Sequence, residues 1–110
     1  MSEAINSNDI LSQLTAILEA RKSESADASY VASLYARPDK MLKKIGEEAV
    51  ETIIAAKNED REEIIHETAD LWFHCMVMLA QKGLTADDIL QELARRFGVS
   101  GHDEKASRGK

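Results

Sequence analysis

The sequence predicts an all-α protein, an antiparallel bundle of four to five helices completed by oligomerisation, in a single domain spanning residues 1–110. Three observations predict this class. Apolar residues recur at helical spacing almost throughout, no segment shows the two-residue alternation of a half-buried strand, and capping residues stand at the ends of the periodic segments. A chain of this length builds one core, and association with a second copy would enlarge it.

The first two helices are predicted on either side of a polar stretch, residues 23–28. The first runs from about Asp9 to Lys22 and is capped by Ser7 or Asn8. The second is short and stops at Arg37, because the residue before a proline disfavours the α conformation. The first helix carries the apolar stripe Ile10, Leu11, Leu14, Ile17 and Leu18, and the second carries Tyr30, Val31, Leu34 and Tyr35.

The third helix is predicted from Pro38, which suits a first helical turn, to about Lys57. Acids and lysines occupy the sector beside its apolar face, with Glu48 nearest the apolar edge, so the acids border the core. The apolar face consists of Met41, Leu42, Ile45, Ala49, Ile53 and Ala56. The adjoining sector holds Lys40, Lys44, Glu47, Glu48 and Glu51.

Asn58 or Asp60 caps a long fourth helix, which ends near Lys82 with Gly83 at its C-terminal cap. Residues 71–80 of this helix are apolar on nearly every face, so we expect the rest of the fold or a second subunit to bury them. This predicts at least a homodimer. The last helix has the capping box Thr85 and Asp88, the stripe Ile89, Leu90, Leu93 and Phe97, and Gly98 at its end; residues 99–110 show no periodicity.

Two acid pairs at i, i+3 are the most informative feature of the chain: Glu48 with Glu51, and Glu67 with Asp70. The short link between the third and fourth helices makes them antiparallel neighbours, so the two pairs face each other. Converging carboxylates beside apolar residues cannot all stay ionised without a cation, and an all-oxygen set suits Mg²⁺ or Mn²⁺. A single such pair is usually solvated or bound to a lysine, as Lys44 is placed to bind Glu48; two facing pairs favour a metal site.

Composition narrows the function further. A net charge of -6 argues against a nucleic-acid partner, and an acidic protein that handles phosphates needs a metal and a few local lysines. No stretch is long and apolar enough for a membrane span, and residues 1–9 are not a signal peptide. The single Cys75 excludes a disulfide framework and fits a reducing compartment, so we expect the cytoplasm.

Four segments carry a resemblance to a known family. They are residues 29–31 (Ser-Tyr-Val), residues 37–56 (opening Arg-Pro-Asp-Lys), residues 67–74 (Glu-Thr-Ala-Asp-Leu-Trp-Phe-His) and residues 100–108. Together they resemble the phosphoribosyl-ATP pyrophosphohydrolases of histidine biosynthesis, which belong to the all-α, MazG-like nucleotide pyrophosphohydrolases. The resemblance extends over about residues 8–108. The superfamily signature is two adjacent glutamates followed by a third, then Glu-x-x-Asp on the next helix, and no acidic position of it is replaced. The chain has no room for the cyclohydrolase domain fused to this activity in some organisms, so it resembles the stand-alone form.

The resemblance implies Mg²⁺-dependent hydrolysis of the α–β phosphoanhydride of 1-(5-phosphoribosyl)-ATP, the second step of histidine synthesis. It implies that Glu48, Glu51, Glu67 and Asp70 are the Mg²⁺ ligands. Glu47 matches the remaining acid of the family, which is either a ligand of another ion or the base that activates water. The residue that accepts the proton stays open, and Glu47 and Glu48 are the candidates. Candidate phosphate-binding residues are Lys40, Lys43, Lys44, Lys105 and Arg108, although Lys43 points away from the acid sector and is as readily an ordinary solvated lysine.

Other residues are weaker candidates for the site. His74 continues the acid stripe after Asp70, but its apolar neighbours favour a hydrogen-bonded core histidine or a group behind the ligands. Trp72 and Phe73 are typical of a core or a subunit interface. Two further functions remain open: a house-cleaning hydrolase acting on dNTPs or damaged nucleotides, and a non-enzymatic helical interaction module or di-iron bundle. A di-iron site needs Glu-x-x-His motifs, which the chain lacks.

Overall fold

The computed structural model describes residues 9–98, which form five α-helices and contain no strand in that range. The all-α prediction is confirmed. The helices are α1 (Ile10–Arg21), α2 (Tyr30–Ala36), α3 (Pro38–Asn58), α4 (Arg61–Gln81) and α5 (Ala86–Phe97). Each lies within a residue or two of its predicted bounds. The predicted caps Ser7 and Asn8 lie outside the described residues, as does the segment 99–110 with His102, Lys105 and Arg108.

Local capping explains most of the boundaries. The side chain of Ser29 accepts a hydrogen bond from the α2 amide of Ala32 at 3.1 Å. Thr85 and Asp88 form the predicted capping box at the start of α5. The left-handed Gly83 follows α4, and Gly98 ends α5 with a φ of 70°.

The hairpin of α3 and α4 is the main packing unit. Glu59 ends α3 in a left-handed conformation with a φ of 58°, and Asp60 then caps α4 by accepting hydrogen bonds from the amides of Glu62 and Glu63. The two-residue link forces the helices to run antiparallel as neighbours. Helices α1 and α2 pack against this hairpin, whereas α5 packs against α1.

The core lies where α1, α2, the first turn of α3 and the second half of α4 meet. Leu18, Leu34, Met41 and Val77 are fully buried there. The all-round apolar half of α4 is only partly covered, because Trp72 keeps 61% of its surface exposed. No helix described in residues 9–98 has both the length and the apolarity needed to span a bilayer.

The predicted apolar face of α3 is wrong for three of its six members, because Leu42, Ile53 and Ala56 are exposed. Met41 is buried as predicted, but Leu42 and Ile53 are 47% and 61% exposed. The buried residues of α3 are Met41, Glu48 and Ala55, spaced by seven along one side of the helix. This side is rotated by about a quarter-turn from the predicted face towards the acids. The reason is that α4 packs across the border between the acidic and apolar sectors, not on the apolar sector itself.

The Asp60 cap sets where α4 begins, and we expect its removal to cost stability. Asp60→Ala should lower the free energy of unfolding by about 1 kcal/mol, because two amides lose their acceptor. Asp60→Asn keeps the accepting oxygen and should stay close to the parent chain. Urea denaturation compares the three. An Asn variant as unstable as the Ala variant would show that the charge, not the hydrogen bond, stabilises the helix end.

Candidate active site

Three carboxylates converge between α3 and α4. Glu48 comes from α3, Glu67 and Asp70 come from α4, and one oxygen of each lies within 4.8 Å of the others. These are three of the four acids that the antiparallel hairpin was predicted to bring together, and Glu51 is not in the group. Within residues 9–98 it is the group of acidic and metal-ligating side chains whose spacing suits a metal ion.

Glu48 sits at the buried end of the cluster. It is 4% exposed, which is exceptional for a carboxylate, and its Oε1 has no hydrogen-bond partner among the described residues. The Oε1 of Glu67 is likewise buried without a partner. Leaving a buried acceptor unpaired costs about 1–3 kcal/mol, and more for a charged group. Buried, unpaired oxygens on converging carboxylates fit a hard divalent cation.

Repulsion among the acids alters the acidity of Glu67. Its pKa is raised above the ordinary value, first by desolvation and then by its contacts with the carboxylates of Glu51 and Glu48. Glu51 therefore contacts the cluster through Glu67, although Glu51 is exposed and lies outside the group of three. A cation among these oxygens would relieve the same repulsion.

Lys44 supplies positive charge at the cluster. Its Nζ lies 3.3 Å from Glu48 Oε2 and 3.9 Å from Glu47 Oε1. The hydrogen bond to Glu48 raises the pKa of the lysine. Glu47 stays outside the convergent group, and its side chain is 46% exposed. Lys43 is 75% exposed and approaches only Glu47, at 4.0 Å, while Lys40 is exposed.

His74 lies behind the acids, in agreement with its predicted place in the core. It is 3% exposed, and its Nδ1–H donates to the main-chain oxygen of Asp70 at 2.9 Å. A carbonyl only accepts, so this bond places the proton on Nδ1 and leaves Nε2 to accept. The Tyr30 hydroxyl donates to that Nε2 at 2.8 Å. The pair connects the start of α2 to the turn of α4 that carries Asp70.

Sequence reasoning missed two residues at the site. Tyr30 was named in the apolar stripe of α2 and in the family segment 29–31, but it was given no role at the site. Desolvation raises its pKa, and the charges of Lys44, Asp70 and Glu48 act on it from nearby. The other is Thr52, whose hydroxyl lies 2.7 Å from the main-chain oxygen of Glu48 and 3.2 Å from that of Glu67. The signal for Thr52 was its position one turn after Glu48, on the side that faces α4.

Thr52 connects the two helices beside the acids, and we expect the connection to be measurable. Thr52→Val keeps the shape but removes the donor, and it should lower the free energy of unfolding by about 1 kcal/mol. Thr52→Ser should restore most of that loss. Chemical denaturation of the three proteins is the measurement. If the Val variant were as stable as the parent, the hydroxyl would contribute nothing to the hairpin.

The fold and site define the class of protein: a helical-bundle protein with an acidic cluster, between two antiparallel helices, that could hold a metal ion. Comparison with known proteins narrows the class. The family model of phosphoribosyl-ATP pyrophosphohydrolase matches residues 11–97. The chain belongs to the phosphoribosyl-ATP pyrophosphohydrolase family and is an enzyme, as the four segments predicted.

Similar proteins from three bacteria are each named phosphoribosyl-ATP pyrophosphatase. The Methylococcus capsulatus protein is 62% identical over 101 residues, which are 91% of this chain and 96% of that protein. The Hydrogenovibrio crunogenus protein is 55% identical, with 94% and 96% covered. The Nitrosomonas eutropha protein is 57% identical, with 94% and 89% covered.

Proposed function

We propose that this protein hydrolyses the α–β phosphoanhydride of 1-(5-phosphoribosyl)-ATP, giving 1-(5-phosphoribosyl)-AMP and pyrophosphate. The reaction depends on Mg²⁺ and is the second step of L-histidine biosynthesis. The observation that carries the proposal is the convergence of Glu48, Glu67 and Asp70 within 4.8 Å in a chain of this family. The names of relatives that are 55–62% identical support the substrate.

The cation is held by Glu48, Glu51, Glu67 and Asp70, with Mn²⁺ able to replace Mg²⁺. The unpaired buried oxygens of Glu48 and Glu67 and the contact of Glu51 with Glu67 support this set. When bound, Mg²⁺ supplies the positive charge that phosphate oxygens and an attacking water require. The protein fixes the carboxylates on two helices, so little reorganisation is needed when the substrate arrives.

Lysines beside the acids bind the phosphates. Lys44 is the best placed, since its ammonium already lies at the rim of the cluster, 3.3 Å from Glu48. Lys40 and Lys43 are exposed within one turn of it and add positive charge for a polyanionic substrate. Lys105 and Arg108, in the segment outside the described residues, remain proposed substrate ligands from the family resemblance.

Glu47 and Glu48 are the proposed catalytic acids. Glu48 would hold the cation, because its carboxylate is buried within the cluster. Glu47 is partly exposed at the rim and lies outside the convergent group, so its carboxylate can accept the proton of an attacking water. The lysine pairings at 3.9 and 4.0 Å are long enough to leave that carboxylate available.

The enzyme is proposed to be at least a homodimer. An apolar groove of about 320 Å³ lies between α4 and α5 and is lined by Trp72, Met76, Leu90 and Leu93, among others. A second apolar surface on α3 leaves Val50, Ile53 and Ile54 more than half exposed. Apolar surface of this extent is typical of an interface.

We also propose that the enzyme is cytoplasmic and has no nucleic-acid partner. The free Cys75 fits a reducing compartment, and the net negative charge disfavours binding to nucleic acid.

Turnover is the direct test of the function. We expect pyrophosphate release from phosphoribosyl-ATP in Mg²⁺, none in EDTA, and little from ATP or dNTPs at the same concentration. Glu67→Gln should lower kcat/KM roughly a hundredfold or more, because one ligand of the cation loses its charge. Glu63→Gln, one turn earlier on α4 and exposed, is the matched control. Preference for dNTPs would move the enzyme to house-cleaning and overturn the pathway assignment.

Light scattering tests the oligomer. The chain should have at least twice the mass of a 12.2 kDa monomer at micromolar concentration. Trp72→Glu places a charge in the apolar groove and should shift the protein towards monomer, whereas Gln13→Glu adds the same charge on the exposed face of α1 and should not. A monomeric parent chain would contradict the proposal.

A further inference from the structure

The pairing of Lys44 with Glu48 is unlike the other ion pairs within residues 9–98. In a surface pair such as Arg21 with Glu24, the two side chains are 42% and 35% exposed. Lys44 instead reaches Glu48, whose side chain is only 5% exposed, while the lysine side chain keeps 30% of its surface in solvent. A buried carboxylate needs a cation or hydrogen-bond donors to be stable in its charged form. Lys44 is the cation that the structure gives it.

Lys44 is also the lysine best placed for this role among its neighbours. Lys43, the next residue, is 75% exposed and approaches only the rim acid Glu47, at 4.0 Å. One turn separates Lys44 from Glu48 along α3, so the contact needs no movement of the backbone. The stem of the lysine is flexible, and its side chain keeps 30% of its surface in solvent, so the ammonium can leave the carboxylate without unfolding the helix.

We propose that Lys44 is the resident counter-ion of the metal-free site, that it leaves Glu48 when a divalent cation is bound, and that the freed ammonium then binds a phosphate of the substrate. The competition between Lys44 and the metal ion follows from the acidic cluster and the contact of Lys44 with Glu48, without reference to a substrate. The binding of a phosphate by Lys44 rests on the proposed function, with a nucleotide phosphate as the ligand.

Repulsion between positive charges is the reason that we expect Lys44 to leave Glu48 when a metal ion binds. An ion held by Glu48, Glu67 and Asp70 would lie within a few ångströms of an ammonium that is 3.3 Å from Glu48. Like charges at that separation repel strongly in a partly buried site. Lys44 contacts Oε2 of Glu48 and the unpaired oxygen is Oε1, so the two cations would meet on one carboxylate and each would weaken the binding of the other. By linkage, a phosphate that draws the lysine away tightens metal binding, and the metal tightens phosphate binding to the same extent.

Metal binding without substrate tests the competition. Lys44→Met keeps the stem and removes the charge, and it should bind Mn²⁺ roughly tenfold more tightly in an electron paramagnetic resonance titration, the order expected when one charge-assisted hydrogen bond no longer has to be broken. Lys43→Met removes the same charge from the adjacent position. It should change Mn²⁺ affinity far less, and it measures the long-range contribution of one charge.

Thermal unfolding gives a second reading. Lys44→Met should lower Tm more in EDTA than in saturating Mn²⁺, because only the metal-free site needs the lysine. Lys44→Arg keeps the charge and should restore the melting behaviour of the parent. Weaker or unchanged Mn²⁺ binding by Lys44→Met, or an equal loss of Tm with and without metal, would overturn the counter-ion role.

Substrate binding separates this proposal from the proposed function. If both hold, Lys44→Met raises the KM for phosphoribosyl-ATP while it tightens Mn²⁺, two effects of opposite direction that a misfolded site would not give. If the parent chain does not hydrolyse phosphoribosyl-ATP but the Mn²⁺ result is obtained, the counter-ion role stands and the proposed substrate is wrong. An unchanged KM in an active variant would overturn the phosphate role.

Discussion

The buried carboxylate of Glu48 is the constraint on which the site depends. It lies on the side of α3 that packs against α4, in line with Met41 and Ala55. A residue that is costly to bury thus occupies the centre of the main helix contact, and the acids of α4 are brought against it. The contact between α3 and α4 therefore also positions the carboxylates, and a shift of one helix on the other would change the distances between them.

The helices were predictable because their signals are local. Pro38, the cap at Asp60, the capping box at Thr85 and Gly98 each act within one turn, so the chain needs no tertiary information to place these ends. The convergence of the acids followed from one further step, the short link at residues 59–60. This is why facing positions on the hairpin could be predicted before the structure was known.

Packing orientation was less predictable, and α3 shows why. Periodicity locates the most apolar side of a helix and assumes that this side faces the core. In α3 the side that packs against α4 is the border of the acidic sector, and Ile53 stays exposed. The role of Tyr30 could not be predicted for the same reason. Only its tertiary contact with His74, 44 positions along the chain, brings its hydroxyl to the site. Long-range contacts of this kind leave no pattern in a single sequence.

The site also has a cost that the rest of the fold must offset. Burial and neighbouring acids raise the pKa of Glu67, so keeping it ionised at neutral pH opposes folding of the metal-free chain. Lys44 offsets part of this repulsion at Glu48, and Thr52 stabilises the same helix contact through main-chain oxygens. Replacing the acids by neutral residues would remove the charge repulsion, but it would also remove the carboxylate oxygens that suit a divalent cation. The charge that destabilises the hairpin is thus the property that the proposed reaction requires.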